Sequence, residues 1–285
     1  MTDPPPSKSK SLWRLKMNLD HSESINFISL AELNHKIYLN KDTGQIYMAG
    51  KVTALNLPVV AVRHGQTNGN LRNILQGQVD GTENQLNENG KAQAQAVSKK
   101  LIADFEKMLG INRLKQLASA KKIVVLTSPI SRAKETAGFF ISNFRQKTKI
   151  QLSPIIEELL KEISFGQYDG YAIDEIYDTE FVNLVRNYRR TQNATINWRN
   201  TGESFLNVAV RAKSMIAKIN TKYADTLVIV FTHGTLISAM RTVLGDQHLL
   251  KPNGMIAFRD NIIENGEPFW FDSSNEKLEE FKTDY

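Results

Sequence analysis

Apolar positions along the chain follow two rhythms. Three compact segments, Leu57–Val62, Lys122–Leu126 and Leu227–Phe231, are nearly continuous in apolar residues and rich in β-branched ones, the pattern of strands buried on both faces of a sheet. Around them, Asn89–Leu109, Ser131–Lys147, Glu203–Tyr223 and Leu236–Leu244 carry apolar residues at helical spacing. Short buried strands alternating with amphipathic helices predict an α/β fold, a three-layer α/β/α sandwich with a mainly parallel central sheet. In such a sheet, ligands bind outside the carboxyl ends of the strands. Two segments stand apart from this alternation. His35–Asn40 and Gln45–Ala49 alternate around Lys41-Asp-Thr-Gly44 and predict a β-hairpin, which either extends the sheet or covers an edge strand. Its Tyr38 and Tyr47 are equally open to a role in an oligomer interface. Between Gly166 and Gly202 the chain is polar, helical over Asp174–Arg190 and without a strand-like run, which fits a lid.

Composition narrows the chemistry. The 285 residues include no cysteine, which removes disulfides, thiolate metal sites and a cysteine nucleophile. The longest apolar runs fall far short of the ~20 residues of a membrane span, and residues 1–16 lack the apolar core of a secretory signal. A cytoplasmic protein with no membrane partner is expected. The net charge of +6 comes without a basic cluster interleaved with aromatics or a recognisable module, so it points to small anions and not to nucleic acid.

The residues just beyond each buried strand change the picture most. The first strand delivers Arg63-His64-Gly65-Gln66-Thr67, the second Ser128-Pro129-Ile130-Ser131-Arg132 and the third Thr232-His233-Gly234-Thr235. A parallel sheet gathers these ends in one crevice, where two guanidiniums, two imidazoles and the free N–H groups of helix starts suit a tetrahedral dianion. His21, His35 and His248 lie in polar or irregular contexts, whereas His64 and His233 stand at strand ends. A lone histidine after a strand is most often a hydrogen-bonded structural residue. The company of Arg63, Arg132, Glu162 and His233 turns the reading toward catalysis.

These segments resemble the histidine phosphatase superfamily, also called the phosphoglycerate mutase-like family, in its phosphatase branch. Arg63 to Thr67 with Asn70 resembles its hallmark. Leu75-Gln76-Gly77 with Leu86 to Ala94, then Ser128-Pro129 with Arg132 to Ala137, are similar to its next motifs. Leu160 to Gly170 is similar to the stretch that carries the acid/base carboxylate, and Gly202-Glu203-Ser204 and Phe231-Thr232-His233-Gly234 complete the series. The resemblance covers about residues 57–260; residues 1–56 have no counterpart in the family's common core. The organisation expected is a flexible N-terminal arm over 1–33, a β-hairpin extension over 34–56, a catalytic domain over 57–272 with a lid insertion at about 167–202, and a C-terminal tail over 273–285.

Each of these side chains has a chemical part to take. A neutral His64 imidazole can attack phosphorus if its other ring nitrogen donates to a carbonyl. Arg63 and Arg132 would hold the nonbridging oxygens, His233 would add a third donor and the Gly65 backbone N–H a fourth, with Gly234 at the start of the following helix. Asn70 is a candidate neutral donor or a helix cap, and Gly65 is open to a purely geometric role. Glu162, partly shielded beside the dianion, would protonate the leaving alkoxide. Glu157 and Glu158 compete for that part, but Glu162 has the family's spacing to Gly166 and Gly170. Glu203 and Ser204 read as a helix start and nothing more. Arg186, Arg189 and Arg190 fall at i, i+3 and i+4, so as lid residues they would share one face and contact a second anionic group, a solvated face being the plainer alternative.

The expected activity is that of a metal-independent, cofactor-free phosphomonoester hydrolase that acts on a small phosphorylated substrate through phosphohistidine. Two others stay open: phosphoglycerate mutase-type phosphoryl transfer, and a non-catalytic phospholigand-binding scaffold using the N-terminal extension. Against the first, Arg189-Arg190 is followed by Thr191-Gln192-Asn193 and not by a proline run. A homodimer is also left open.

Overall fold

A computed structural model describes residues 27–49 and 55–271. Five strands build the central sheet: β4 (Val59–Arg63), β5 (Ile123–Thr127), β6 (Pro154–Ile156), β7 (Leu227–Thr232) and β8 (Pro268–Trp270), in the order β6-β5-β7-β4-β8. Pairing is parallel between β6 and β5, β5 and β7, and β7 and β4; only β8 runs antiparallel, against β4. The fold is therefore the mainly parallel α/β sandwich expected.

Strand alternation sorts the core into two layers. Val60 and Val62 of β4, with Ile229 and Phe231 of β7, pack against α2 (Glu88–Leu109), α3 (Ile111–Ser119) and α4 (Ser131–Thr148). Val59 and Ala61, with Val228 and Val230, face α6 (Phe205–Lys222) and α7 (Gly234–Leu244). Every residue of β7 is buried, as a strand covered on both faces must be. Two shorter features complete the site side: α1 (Asn68–Leu71) directly after β4, and α5 (Thr179–Thr191) in the expected lid.

The strand-to-helix junctions explain why the reactive segments point outward. β4 and β7 are in register through Arg63 opposite Thr232, so His64 and His233 leave the sheet side by side. β5 and β7 are in register through Thr127 opposite Phe231, which brings Ser128 and the start of α4 to the same edge.

The N-terminal segment differs from its expectation. β2 (Ile37–Asn40) and β3 (Ile46–Met48) form the predicted hairpin, but β1 (Phe27–Ser29) pairs with β2 inside the stretch expected as an arm, making a separate three-stranded antiparallel sheet. Leu30, Leu33, Ile37, Ile46 and Met48 are buried in the same core as α5, α6 and α7. The apolar face of the hairpin thus neither extends the central sheet nor lies open. Tyr47 is itself buried, edge-on to Phe27 at 4.9 Å, which takes it out of any outer interface. The remainder of the arm and the tail over 273–285 lie outside the described residues.

Candidate active site

A cavity of about 170 Å³ opens at the carboxyl ends of β4, β5 and β7, and its wall includes Arg63, His64, Asn70, Arg132, Glu162 and Gly234. His64 is buried, and its Nδ1 lies 2.8 Å from the carbonyl oxygen of Gly65. A carbonyl can only accept, so Nδ1 carries the proton and Nε2 keeps its lone pair. Arg132 donates its Nε to that Nε2 at 3.2 Å and its Nη2 to the Gly77 carbonyl at 2.9 Å. Arg63 donates Nη1 to the Ile263 carbonyl at 2.8 Å, while its Nε is buried without a partner among the described residues.

Burial, and after it the charges of Arg132 and Arg63, hold His64 well below the ordinary histidine pKa. Burial first, then Arg132 and His64, does the same for His233. Burial also lowers Arg132 to about 10, which leaves it charged at neutral pH. A histidine depressed on folding binds its proton more readily when unfolded, so its contribution to stability is complete above about 6.5, the ordinary value, and is lost as the pH falls below it. Chemical denaturation of the wild-type protein at pH 7, 6 and 5 is expected to show stability falling by up to about 1.4 kcal/mol per pH unit for each histidine. A His64→Gln/His233→Gln variant should have a shallower dependence; an unchanged slope would mean that other groups set it.

Glu162 lines the cavity with both oxygens anchored by backbone: Oε1 accepts from Ile163 N at 2.9 Å, and Oε2 from Thr235 N, at the start of α7, at 3.4 Å. Its competitors are elsewhere. Glu157 is buried against Lys218 Nζ at 2.7 Å, and Glu158 pairs with Lys161 on the surface. The loop that carries Glu162 is held by Arg211 of α6, whose guanidinium donates to the carbonyls of Leu159, Lys161 and Glu162 at 2.9, 2.8 and 3.2 Å. Arg211 also forms a two-pronged pair with Glu203 at 2.8 and 2.9 Å, and Glu203 accepts from Ser164 N at 3.1 Å. Glu203 is therefore a brace for the acid loop and more than a helix start, whereas Ser204 is the N-cap of α6 in a capping box with Asn207.

Three expectations are corrected. The Gly65 N–H is not a phosphate donor, because it bonds Thr136 Oγ1 at 3.1 Å. Glycine is required there for close approach: a Cβ would lie 2.3 Å from the Gly90 carbonyl oxygen. His233 does not line the cavity. It lies beside His64 with ring centroids 5.2 Å apart, its Nε2 is 2.8 Å from Ser128 Oγ, and its Nδ1 is buried without a partner among the described residues. Of the three lid arginines only Arg189 reaches the wall, because α5 turns the stripe Val185, Tyr188, Arg189 inward. Arg186 reaches Asn183 on its own helix at 3.4 Å, and Arg190, exposed as Arg189 is, stands off the wall.

Asn70 takes the capping part. Its Oδ1 closes the capping box of α1 with Thr67, and the residue also borders the cavity. Sequence reasoning misses Tyr188, Trp198 and Arg259 on the wall. Trp198 stands in a loop where it, Arg199 and Asn200 all adopt positive φ (55°, 58° and 63°), a conformation costing roughly 1–2 kcal/mol per residue. Arg199 holds that loop by pairing with Asp178 at 2.6 Å and Glu180 at 3.0 Å. No periodicity announces such a placement.

A family model for the histidine phosphatase superfamily (branch 1) matches residues 59–257. The chain belongs to that superfamily. As a histidine phosphatase it is an enzyme of the phosphatase class. It is 32% identical over 167 residues to mannitol-1-phosphatase of Eimeria tenella, a match covering 56% of this chain and 47% of the relative, so the chain spans about half the length of that protein. To the metal-independent phosphoserine phosphatase of Arabidopsis thaliana it is 29% identical over 192 residues, 67% of this chain and 69% of the relative. Among solved structures, the mycobacterial glucosyl-3-phosphoglycerate phosphatase superposes with a TM-score of 0.52 at 23% identity, covering 75% of this chain and 89% of the other, a likeness of fold. Among the described residues no helix is long and apolar enough to cross a membrane.

Proposed function

We propose that this histidine phosphatase hydrolyses small phosphomonoesters without a metal ion, through a phosphohistidine at His64 and with Glu162 as proton donor. The observation that carries the reading is the Nδ1 contact of His64 with the Gly65 carbonyl, which leaves Nε2 as the nucleophilic atom on the cavity wall. The names of the relatives, a mannitol-1-phosphatase and a phosphoserine phosphatase, support a small phosphorylated substrate. The unpartnered Nε of Arg63 is a buried donor awaiting an acceptor, as a phosphate oxygen would be.

In the first step Nε2 of His64 bonds to phosphorus as the bond to the ester oxygen breaks, and Glu162 gives its proton to the departing alkoxide. In the second, the Glu162 carboxylate takes a proton from water, the resulting hydroxide bonds to phosphorus and the P–N bond breaks. Phosphate leaves, and His64 is neutral again. Arg63 and Arg132 balance the equatorial charge in both steps. Two guanidiniums also repel a divalent cation from the same space, which supports metal independence. Hydrolysis of para-nitrophenyl phosphate in the presence of a chelator tests this directly: turnover should be the same with and without it. Loss on chelation with recovery on adding a divalent cation would overturn the metal-independent reading.

A further inference from the structure

Between α1 and α2 the chain passes through residues 77–80, which touch both halves of the proposed machinery. On one side they hold Arg132. Its Nη2 donates to the Gly77 carbonyl at 2.9 Å and its Nη1 to the Val79 carbonyl at 3.4 Å, while Asp80 accepts from Ser131 N at 3.0 Å and from Ser131 Oγ at 2.9 Å, at the start of α4. On the other side they hold the loop of Glu162. Gln78 donates Nε2 to the Glu162 carbonyl at 2.9 Å and to Glu203 Oε2 at 3.2 Å, and its backbone N to Asp169 Oδ2 at 3.2 Å. A carbonyl and a carboxylate already paired with Arg211 can only accept, so both amide hydrogens of Gln78 are committed and the amide has one orientation.

The two segments meet at close quarters. Gly77 has φ +47°, and a Cβ there would lie 1.6 Å from Asp169 Oδ1. Asp169 in turn accepts from Phe165 N at 2.6 Å and from Ser164 Oγ at 3.1 Å, just beyond Glu162. Leu75 N donates to the Tyr171 carbonyl at 2.9 Å and Gly170 N to the Leu75 carbonyl at 2.7 Å, which joins the backbones ahead of Gln78. Among the described residues of 77–80, Gln78 is the one bonded to Glu162 itself. The proposed chemistry needs both ends of this frame together, because the cation places the phosphoryl group and the acid must then reach the ester oxygen attached to it.

We propose that Gln78 is a positioning residue: it ties the backbone that aims Arg132 to the backbone that carries Glu162, and so sets the proton donor against the ester oxygen of a phosphate held by the guanidinium. The assignment rests on the phosphomonoesterase reading above. Loss of the amide should loosen this tie without dismantling the acid loop. The Glu162 carbonyl would keep Arg211 at 3.2 Å, and Glu203 Oε2 would keep Arg211 at 2.9 Å and Ser164 N at 3.1 Å.

The test compares kcat/KM for para-nitrophenyl phosphate, whose leaving group needs no proton, with kcat/KM for glycerol 3-phosphate, whose alkoxide does. Gln78→Met keeps the length of the side chain and removes both donors. The ratio of the first constant to the second should rise about tenfold, within the worth of one hydrogen bond. In Gln78→Met/Glu162→Gln the ratio should equal that of Glu162→Gln alone, since no acid is left to position. Gln78→Asn, which stops one methylene short of both acceptors, carries the same comparison if the methionine variant does not fold. A ratio unchanged in the Gln78 variants, or an effect that multiplies with that of Glu162→Gln, would overturn the assignment. So would a loss shared equally by both substrates and by the affinity for inorganic phosphate, the pattern of a merely structural residue. A Glu162→Gln variant with the wild-type ratio would overturn the acid and Gln78 together. Absence of hydrolysis of either substrate by the wild type would instead overturn the phosphomonoesterase reading.

Discussion

His64→Ala is expected to lower phosphatase turnover by at least about 10⁴-fold and to abolish an acid-labile, alkali-stable phosphoenzyme that rapid acid-free quenching traps in the wild type. The size of the loss reflects the division of labour in the cavity. Arg63 and Arg132 can still bind and polarise a phosphate, but positioning and charge neutralisation act on a bond only if an atom stands in line to attack it. In the proposed mechanism that atom is Nε2, left with its lone pair by the Nδ1 contact with Gly65. Removing a fully packed imidazole also leaves a void, so His64→Gln should accompany the alanine variant, with denaturation showing that both are folded. Phosphate binding retained together with turnover lost would place the defect in chemistry. A His64 variant with appreciable turnover, or a wild type that never labels while hydrolysing substrate, would overturn the covalent mechanism.

Glu162→Gln is expected to cost about 10²–10⁴-fold on alkyl phosphates. Its effect on para-nitrophenyl phosphate should have a different shape. Nitrophenolate leaves without needing a proton, so phosphorylation of His64 survives the substitution, whereas attack of water on the phosphoenzyme still lacks its base. Stopped-flow traces should therefore show a burst of nitrophenolate, about one equivalent per active site, followed by a slow steady state. Glutamine preserves the length of the side chain, and its one amide oxygen can take over the stronger anchor from Ile163 N while the contact with Thr235 N is lost. An equal loss for both substrate types without a burst would show that Glu162 acts in some other way, for instance by holding the loop.

Much of this arrangement is legible in the chain. Buried strands with helical spacing around them set out β4, β5 and β7 and the helices α2, α4, α6 and α7 to within a few residues, but not β6, β8 or α3. Arg63, His64 and Arg132 converge because a parallel sheet brings its strand ends together, whereas Glu162 is singled out among its neighbours only by the spacing that resembles the family's. The features that escape have a common physical cause: they depend on contacts between segments with no local pattern. β8 joins the sheet only through β4. Arg259 lies in irregular chain and is placed by Gln192, 67 residues away. The Gly65 N–H looks free in sequence because its acceptor, Thr136, lies on a different helix. Residues 27–49 carry a hairpin signal but no hint of its use, since the surfaces it covers are those of α5 and the segment around Gly254.

The bond between Arg132 Nε and His64 Nε2, 3.2 Å long, fixes the imidazole from its second side. A guanidinium can only donate, so the contact needs the lone pair on Nε2, just as the Gly65 carbonyl needs the proton on Nδ1. The two contacts therefore demand one and the same tautomer from opposite edges of the ring. A second proton on the ring would set two donors against each other, and the charge of Arg132 accordingly helps to lower the pKa of His64.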